Sequence, residues 1–298
     1  MASPLRKTDL PAPAKINLFL AVTGRRPDGF HDLVSVAAPL LWGDTVSFED
    51  GGDSFSVECD QPGVPTDSSN LVLKAAAAFT RATGWKGGGR FAIAKRIPSG
   101  AGLGGASSDA VAALLALNRA AGSPLDAAGL LSAASSVGSD CALFLAPGPV
   151  ILRGRGERLE VLPNEAYRRI RGMRVLLFKP AFAIPTPWSY GRLAAEAPRA
   201  YVGAMAAEAM LGAWIARAGA PAHDLLFNSM ERPAFAKFPA LPALLELLRS
   251  RFNIAGRMTG SGSACYAFLH ESVDTRPAET AIREAWGPSA FVLETRIA

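Results

Sequence analysis

The chain has 298 residues, of which 49% are hydrophobic and 19% are charged. This composition excludes a disordered or fibrous protein, and at roughly 100–200 residues per domain the length predicts two domains. The net charge of +5 is compatible with nucleic acid, anionic lipid or a small polyanionic substrate, and charge alone does not choose among these partners.

Cysteine usage and hydropathy indicate the compartment. Cys59, Cys141 and Cys265 are odd in number and widely spaced, which indicates neither a disulfide framework nor a clustered zinc site. No apolar run is long enough to span a membrane, and residues 1–15 carry prolines and charges where a signal peptide has an apolar core. We therefore expect a cytoplasmic protein with no membrane partner.

The first half of the chain opens with strand patterns. Period-two alternation of apolar residues predicts strands at residues 16–22, around Phe55 and Val57, and around Phe91 and Ile93. Between the later two, the alanine-rich run at residues 71–79 predicts a helix with Asn70 as its N-cap and Gly84 at its C-terminal end. The start of the chain is therefore expected to form a sheet with an intervening helix.

Further helices follow the third strand. Ser107, Ser108 and Asp109 predict the start of a second helix, which Gly122 and Pro124 end, and a third helix is expected near Asp126. Two helices in succession indicate that the βαβ alternation does not continue.

The second half has a different pattern. An apolar strand is predicted at residues 175–178, irregular structure at residues 184–187 because of two prolines, and helices at residues 204–217 and 241–251. We place the domain boundary near Pro163, which gives domains at residues 1–163 and 164–298.

A glycine-rich segment at residues 98–109 lies between a predicted strand and a predicted helix. Glycines allow positive φ and close backbone approach to an anion, and the helix dipole adds positive potential at the same point. Ser107 and Ser108 are able to add hydroxyl contacts. This context indicates phosphate binding rather than a simple tight turn.

Two common phosphate-binding motifs agree less well with the segment. Gly100, Gly102 and Gly105 match a dinucleotide fingerprint, but that motif needs a second strand with an acidic end, and here another helix follows near Asp126. A P-loop would need Gly-Lys-Ser or Gly-Lys-Thr at its end, and neither is present. Both alternatives are therefore disfavoured.

The segment resembles the ATP-phosphate loop of the GHMP kinases, which are named for galactokinase and the homoserine, mevalonate and phosphomevalonate kinases. Residues 13–18 and 256–264 are similar to the N-terminal and C-terminal motifs of that family, in the same order and spacing. The resemblance implies ATP contacts from Pro98, Ser99, Gly100, Ala101, Gly102, Leu103, Gly104, Gly105, Ala106, Ser107 and Ser108.

Three further segments resemble one branch of the family. Residues 15–18, 26–31 and 138–140 are similar to members that use ATP to phosphorylate the 2-hydroxyl of a cytidine diphosphate-linked methylerythritol, on the non-mevalonate route to isoprenoid precursors. The resemblance covers nearly the whole chain. It implies a small-molecule substrate, no nucleic-acid partner, and a monomer or homodimer.

The resemblance also implies the fold. We expect an α+β protein with an N-terminal domain like ribosomal protein S5 domain 2, which carries ATP, and a ferredoxin-like C-terminal domain. ATP and substrate are expected to meet in a cleft.

Asp140 and Lys15 are the catalytic residues that the resemblance implies. Phosphoryl transfer needs a carboxylate to receive the hydroxyl proton, and Asp140 matches the catalytic aspartate of the family. Lys15 would keep that carboxylate ionised and stabilise charge on the transferring group. From local sequence alone, Asp140 would be a turn residue and Lys15 a solvated strand residue.

The substrate residues implied by the resemblance are Asn17, Phe30, His31, Thr186, Gly260 and Ser261. Phe30 stands where the family commonly has tyrosine, so stacking on the base is kept and a phenolic hydroxyl is lost. Alternatively, Phe30 belongs to the core and His31 to the surface. For Asn17 the alternative is a hydrogen bond to neighbouring backbone at a strand irregularity, and the functional role is favoured. For Thr186 a structural turn is an equal alternative, and for residues 259–263 the alternative is a glycine hairpin.

The cofactor expected is ATP with Mg²⁺, and no protein-held metal is predicted because no carboxylate cluster is visible. Residues 228–231 depart from the usual family pattern, so no catalytic residue is assigned there. Two rivals stay open at this point: another GHMP kinase without a base pocket, and a nucleic-acid-binding protein suggested by the pI near 9.3 and the S5-like fold.

Overall fold

The computed structural model describes residues 7–298, and the chain divides into two compact units. Unit 1 comprises the described residues up to Ala14, Trp42–Ile97 and Gly104–Pro147. Unit 2 comprises Lys15–Leu41, Pro98–Leu103 and Gly148–Ala298. Two long strands, β1 (Lys7–Arg25) and β2 (His31–Asp50), contribute to both units. The boundary placed near Pro163 stays a prediction.

Unit 1 combines a sheet with a layer of helices. After its parts of β1 and β2 it contains β3 (Phe55–Cys59), α1 (Leu71–Thr83), β4 (Gly89–Ala94), α2 (Gly105–Ala120), α3 (Ala127–Val137) and a 3-10 turn at Ala142–Leu145. The strand order is β3-β4-β2-β1, with β2 and β4 antiparallel and β3 and β4 parallel. The helix α1 is therefore the crossover of a βαβ unit.

The helix ends in unit 1 follow the capping residues of the sequence. The Asn70 side chain accepts a hydrogen bond from the Val72 N–H at 2.9 Å, and Gly84 ends α1 in the left-handed region with φ 69°. Asp126 caps α3 by accepting from the Gly129 N–H at 2.8 Å. These predicted ends are confirmed.

The start of α2 differs from the sequence expectation. The helix begins at Gly105, two residues before Ser107, because Gly104 takes the cap position with φ 74° and needs no side-chain hydrogen bond. The two serines therefore lie inside the first turn of α2 rather than in front of it.

Unit 2 contains the larger set of elements. They are β5 (Val150–Gly154), β6 (Arg158–Val161), α4 (Asn164–Arg168), β7 (Arg174–Lys179), α5 (Thr186–Ala195), α6 (Ala204–Ala216), β8 (Phe227–Asn228), α7 (Glu231–Lys237), α8 (Ala240–Phe252), β9 (Gly256–Met258), β10 (Cys265–Leu269), α9 (Arg276–Trp286) and β11 (Phe291–Arg296). In this unit β2 pairs with β5, β5 with β6, and β1 in parallel with β8.

A second, antiparallel sheet in unit 2 has the order β11-β7-β10-β9. Its first and third strands in chain order are central, and helices connect β7 to β9 and β10 to β11. This is the arrangement of the expected ferredoxin-like fold. Residues 175–178 of β7 are fully buried, as their continuous apolar sequence indicated.

The expectation of irregular structure at residues 184–187 is wrong in its second half, because α5 begins at Thr186. Pro187 lies in the first helical turn, where the missing N–H removes no intrahelical hydrogen bond. Among residues 7–298, no helix is both long enough and apolar enough to cross a membrane.

Candidate active site

The glycine-rich segment leads from β4 into α2 through left-handed glycines. Gly100, Gly102 and Gly104 have φ values of 64°, 80° and 74°. A Cβ atom on residue 102 would lie 2.8 Å from the carbonyl oxygen of Thr259. Because this contact is with backbone and φ is positive, position 102 requires glycine.

The first turn of α2 is a candidate anion site. Ser108 donates its backbone N–H to the Gly104 carbonyl at 2.9 Å, so the N–H groups of residues 105–107 precede the first intrahelical bond. Together with the helix dipole they favour a bound phosphate. Ser107 is half-buried, whereas the Ser108 hydroxyl is buried and has no hydrogen-bond partner within residues 7–298.

Asp140 lies in the turn after α3, in the same unit as the start of α2. The Cys141 N–H donates to the Gly138 carbonyl at 3.1 Å and closes this turn. A Cβ on residue 138 would lie 3.3 Å from the Cys141 Sγ and 4.0 Å from the Ser107 Oγ. The turn that carries the half-buried candidate base therefore lies close to Ser107, in the first turn of α2.

Lys15 and Asn17 lie on β1 in unit 2, and both are buried, with 5% and 6% of their surface exposed. The Lys15 ammonium donates to Asn17 Oδ1 at 2.7 Å. The Lys15 backbone N–H donates to the Leu103 carbonyl at 2.9 Å. Lys15 is thus fixed beside the glycine-rich segment and is not a solvated strand residue.

Asn17 uses all its polar groups in this network. Its backbone N–H donates to the Thr259 hydroxyl at 2.8 Å, and its side-chain amide donates to the Ser35 hydroxyl at 2.9 Å. Its carbonyl accepts from the Tyr266 hydroxyl at 3.1 Å. Such complete pairing fixes the amide, which in turn orients Lys15.

The second glycine turn, at residues 259–263, lies against the first glycine segment within unit 2. The Ala264 N–H donates to the Ala101 carbonyl at 3.1 Å. A Cβ on residue 260 would lie 3.1 Å from the Gly102 carbonyl oxygen and 3.4 Å from Asn17 Oδ1. The structure thus brings both glycine motifs and the Lys15 network together.

Asn228 supports this turn, although no role was assigned to it from the sequence. The residue is buried, and its side-chain amide donates to the carbonyls of Met258 and Gly260 at 2.8 and 2.9 Å. An asparagine that stands shortly before a helix was the signal available in the sequence. Its long-range partners could not be read from spacing.

Thr186 joins the same group from α5. Its hydroxyl lies 2.8 Å from the Ser261 hydroxyl, and the Ser189 hydroxyl donates to the Ser261 carbonyl at 3.1 Å. The first turn of α5 therefore holds the second glycine turn. Of the expected substrate residues, Asn17, Thr186, Gly260 and Ser261 lie close together in unit 2.

Phe30 and His31, the residues predicted to bind the base, lie in unit 2. Phe30 is 54% exposed, with the Arg155 guanidinium 4.9 Å from its ring centroid, whereas His31 is only 8% exposed. The alternative of a core phenylalanine and a surface histidine is therefore wrong. The exposed ring leaves a face on which a base is able to stack.

Two tyrosines, which sequence reasoning missed, surround the His31 ring. The ring centroid of Tyr190 lies 4.9 Å from that of His31, and that of Tyr201 lies 5.8 Å away. The Tyr201 hydroxyl is 3.1 Å from His31 Nε2. Burial, and secondarily the charge of Arg25, lowers the pKa of His31, so its imidazole is neutral at neutral pH.

A buried charge cluster in unit 1 was also missed. Lys95 donates to carboxylate oxygens of Asp44 and Asp109, the latter at 2.8 Å, and the Ile97 N–H donates to Asp44 at 2.8 Å. Burial raises the pKa of Asp109 to about 7, against the opposing effect of Lys95. The cluster connects the residues just before the glycine-rich segment to the first turns of α2.

Metal ligation by the protein is not indicated in the described part of the chain. Among residues 7–298, no group of three or more His, Cys, Asp or Glu side chains is arranged to hold a metal ion. A magnesium ion that arrives with ATP, held by phosphates and water, would be part of the substrate.

Comparison with known proteins agrees with the fold and with the two glycine motifs. The model of the GHMP kinases N terminal domain matches residues 70–148, and that of the GHMP kinases C terminal domain matches residues 207–292. A 4-diphosphocytidyl-2-C-methyl-D-erythritol kinase of Methylacidiphilum infernorum is 36% identical over 287 residues, which cover 94% of this chain and 93% of that protein. A kinase of the same name from Salinibacter ruber is 34% identical over 269 residues, 90% of this chain and 92% of that protein.

A solved structure agrees as well. The crystal structure of a 4-(cytidine 5'-diphospho)-2C-methyl-D-erythritol kinase matches with a TM-score of 0.76 and 33% identity, over 98% of this chain and 100% of that chain.

The fold and the paired glycine motifs define a GHMP kinase. Within that class, the chain belongs to the family of 4-diphosphocytidyl-2-C-methyl-D-erythritol kinases. The predicted family and the α+β, two-domain kinase architecture are thereby confirmed. The dinucleotide-binding, P-loop and nucleic-acid interpretations are set aside by the same matches.

Proposed function

We propose that this chain transfers the γ-phosphoryl group of ATP to the 2-hydroxyl of 4-diphosphocytidyl-2-C-methyl-D-erythritol, in the non-mevalonate route to isoprenoid precursors. One observation carries the proposal beyond family membership: unit 2 holds both the Lys15–Asn17 network and a group of aromatic side chains around His31. We therefore propose that the reacting alcohol binds beside Lys15 and Asn17 on β1 and that the base binds beside His31 on β2.

The spacing of these two parts supports a long substrate. Ser35, which contacts Asn17, and His31 are four residues apart on β2, roughly 13 Å along a strand. On α5, Thr186 and Tyr190 are one helical turn apart, about 6 Å along its axis. A diphosphate between a base at His31 and an alcohol at Asn17 would follow this path, whereas homoserine or mevalonate has no base to contact His31.

ATP is proposed to bind through residues 98–108. The left-handed glycines and the N–H groups at the start of α2 support phosphate contacts, and Mg²⁺ enters as part of the MgATP substrate. No protein ligand for the ion is proposed. The protein contributes alignment and hydrogen-bond donors.

The chemical roles belong to Asp140 and Lys15. As the 2-oxygen forms its bond to the γ-phosphorus, Asp140 takes the hydroxyl proton and the bond between the γ-phosphorus and the β,γ-bridging oxygen breaks, which releases ADP. Lys15, oriented by Asn17, stabilises negative charge on the transferring group. Asn17 thus acts mainly through Lys15.

The remaining contacts concern substrate placement. Phe30 offers its exposed ring to the cytosine, and His31 contributes hydrogen bonding at the base. Thr186, Gly260 and Ser261 place hydroxyl and backbone groups toward the diphosphate. We place this reaction in the cytoplasm, with a monomer or homodimer as the working form.

Product identification tests this function. The purified chain is incubated with MgATP and the cytidylated alcohol, and ³¹P NMR follows the products. We expect ADP and one new phosphomonoester on the 2-oxygen, with the diphosphate unchanged. A phosphate on another oxygen, or ADP formed without a phosphorylated alcohol, would contradict the proposal.

A further inference from the structure

The His31 side chain is held by a tyrosine from a distant segment. Tyr201 lies between α5 and α6, and its hydroxyl is 3.1 Å from His31 Nε2 across 170 residues of sequence. The contact is well anchored, because the Tyr201 N–H donates to the Pro198 carbonyl at 3.1 Å and the following Val202 N–H donates to the Val22 carbonyl on β1 at 3.0 Å.

The direction of this hydrogen bond follows from the chemistry of the two groups. A neutral imidazole has one N–H donor and one nitrogen acceptor. A phenolic O–H is the better donor and an imidazole nitrogen the better acceptor of this pair. Within residues 7–298, the Tyr201 hydroxyl has no other hydrogen-bond partner. In the arrangement that this preference favours, the hydroxyl donates to Nε2 and the ring proton lies on Nδ1.

The Nδ1–H group is then available to a ligand. No hydrogen-bond partner of His31 Nδ1 is found in the described part of the chain. The Tyr190 ring also packs on the imidazole, with the ring centroids 4.9 Å apart and the planes tilted by 36°, which limits rotation of the imidazole. Arg25 is the charged group that acts on His31.

We infer that Tyr201 is a positioning residue that fixes His31 as its Nδ1–H tautomer and thereby sets the preference for a cytidine over a uridine substrate. The inference rests on the proposed function. Cytosine presents acceptors at N3 and O2, whereas uracil carries a proton on N3. A fixed Nδ1–H donor is complementary to the cytosine edge and opposes the N3–H of uracil.

Tyr201→Phe tests the inference, because it keeps the ring and removes only the hydroxyl. KM for the cytidylated substrate should rise about 3–10-fold, since the variant loses one ordering hydrogen bond, while kcat and KM for ATP stay near their wild-type values. The ratio of kcat/KM for the cytidine substrate to that for its uridine analogue should fall by a similar factor. Tyr167→Phe is the matched control, because that hydroxyl donates to the Ala298 carbonyl instead, and it should leave all these values unchanged.

The tautomer itself is measured by ¹⁵N NMR of the imidazoles. The chain has only 3 histidines, so assignment by single substitution is direct. In the ligand-free wild-type protein, His31 should show a protonated Nδ1 and an unprotonated Nε2. The Tyr201→Phe substitution should shift the imidazole toward a mixture of the two tautomers. A purely structural role for Tyr201 would change thermal stability without changing the tautomer or the cytidine-to-uridine ratio.

The results distinguish failure of the inference about Tyr201 from failure of the proposed kinase function. A protonated Nε2 in the wild-type protein, or an unchanged cytidine-to-uridine ratio in Tyr201→Phe, would overturn the inference while leaving the kinase function intact. Absence of turnover with the cytidylated alcohol would overturn the proposed function and the selectivity claim. The NMR result would still decide the tautomer, because it requires no turnover.

Discussion

The backbone N–H of Asn17 donates to the Thr259 hydroxyl at 2.8 Å, although the two residues are 242 positions apart in the chain. Through this bond the second glycine turn fixes the strand that carries Lys15. The Asn17 side chain then holds the Lys15 ammonium at 2.7 Å. The position of the proposed catalytic lysine therefore depends on a residue of the C-terminal glycine motif.

Removing the Thr259 hydroxyl should destabilise this arrangement. We expect Thr259→Val to lower the free energy of unfolding by about 1–3 kcal/mol, because the Asn17 N–H would lose its acceptor in a buried site. Urea unfolding measures the change. Thr280→Val, at an exposed helical position, is the control and should change stability by less than about 0.5 kcal/mol. Equal effects of the two substitutions would argue against a structural role for the bond.

Gly102 should be far less tolerant of a side chain than Gly122. Both have positive φ, 80° and 81°, so alanine introduces roughly 1–2 kcal/mol of backbone strain at each. At Gly122 nothing lies within 4 Å of the added Cβ, whereas at Gly102 the Thr259 carbonyl oxygen is 2.8 Å away. Gly102→Ala should therefore lose a further 1–3 kcal/mol or so of unfolding free energy.

The Gly102→Ala and Gly122→Ala variants also distinguish backbone strain from an effect on ATP binding. Gly102→Ala should also raise KM for ATP, since the proposed phosphate loop has to move, and Gly122→Ala should not. Steady-state kinetics at varied ATP checks this. The same KM in both variants would indicate that the conformation at Gly102 does not affect ATP binding.

Asp140→Asn should remove the proposed proton acceptor while preserving the shape of the side chain. We expect kcat to fall by about 10²–10⁴-fold with ATP affinity unchanged, as measured by single-turnover kinetics and calorimetry. Asp126→Asn is the matched control in the same unit: Asp126 caps α3, and asparagine caps equally well, so kcat should stay at the wild-type value. Full turnover by Asp140→Asn would exclude Asp140 as the base.

Asp109 should make stability depend on pH. Its pKa is raised from 3.8 to about 7 in the folded chain, with burial as the main cause, so between about pH 4 and 7 the folded state binds a proton that the unfolded state has released. Stability from this group is therefore present at low pH and is lost as pH rises toward 7. Asp109→Asn, which resembles the protonated carboxyl, should gain stability relative to wild type as pH rises from 5 to 8.

Asp67 is the control for the Asp109 prediction, because its pKa is shifted in the opposite direction. Asp67 is exposed, and hydrogen bonds from Ser69 lower its pKa, so it is ionised in both states throughout pH 5–8. Asp67→Asn should shift the melting temperature equally at every pH in that range. A melting-temperature difference between Asp109→Asn and wild type that does not change with pH would contradict the assignment.

Local features of the fold were predictable where one residue determines the structure. Asn70, Gly84 and Asp126 form helix ends through contacts with near neighbours, so sequence spacing was sufficient. The glycine-rich segment was also predictable, because its glycines and the helix that follows them are neighbours in the sequence. The start of α2 was placed two residues late because a left-handed Gly104 replaced the expected side-chain cap.

Long-range contacts of the site could not be predicted in the same way. Tyr190 and Tyr201 reach His31 only through the folding of unit 2, and no local pattern of aromatic residues indicates that contact. The pairing of Lys95 with Asp44 and Asp109 joins three separate segments of unit 1. Family resemblance supplied Lys15 and Asp140, whose local sequences favoured ordinary strand and turn residues.

The most direct measurement is ADP release by the purified chain with MgATP and 4-diphosphocytidyl-2-C-methyl-D-erythritol, compared with free methylerythritol phosphate, mevalonate and homoserine under identical conditions. We expect rapid turnover of the cytidylated alcohol alone, because in the proposed site only that substrate reaches both the Lys15–Asn17 network and the aromatic group around His31. Equal or faster turnover of an alcohol without a base, or none with the cytidylated compound, would contradict the proposed substrate.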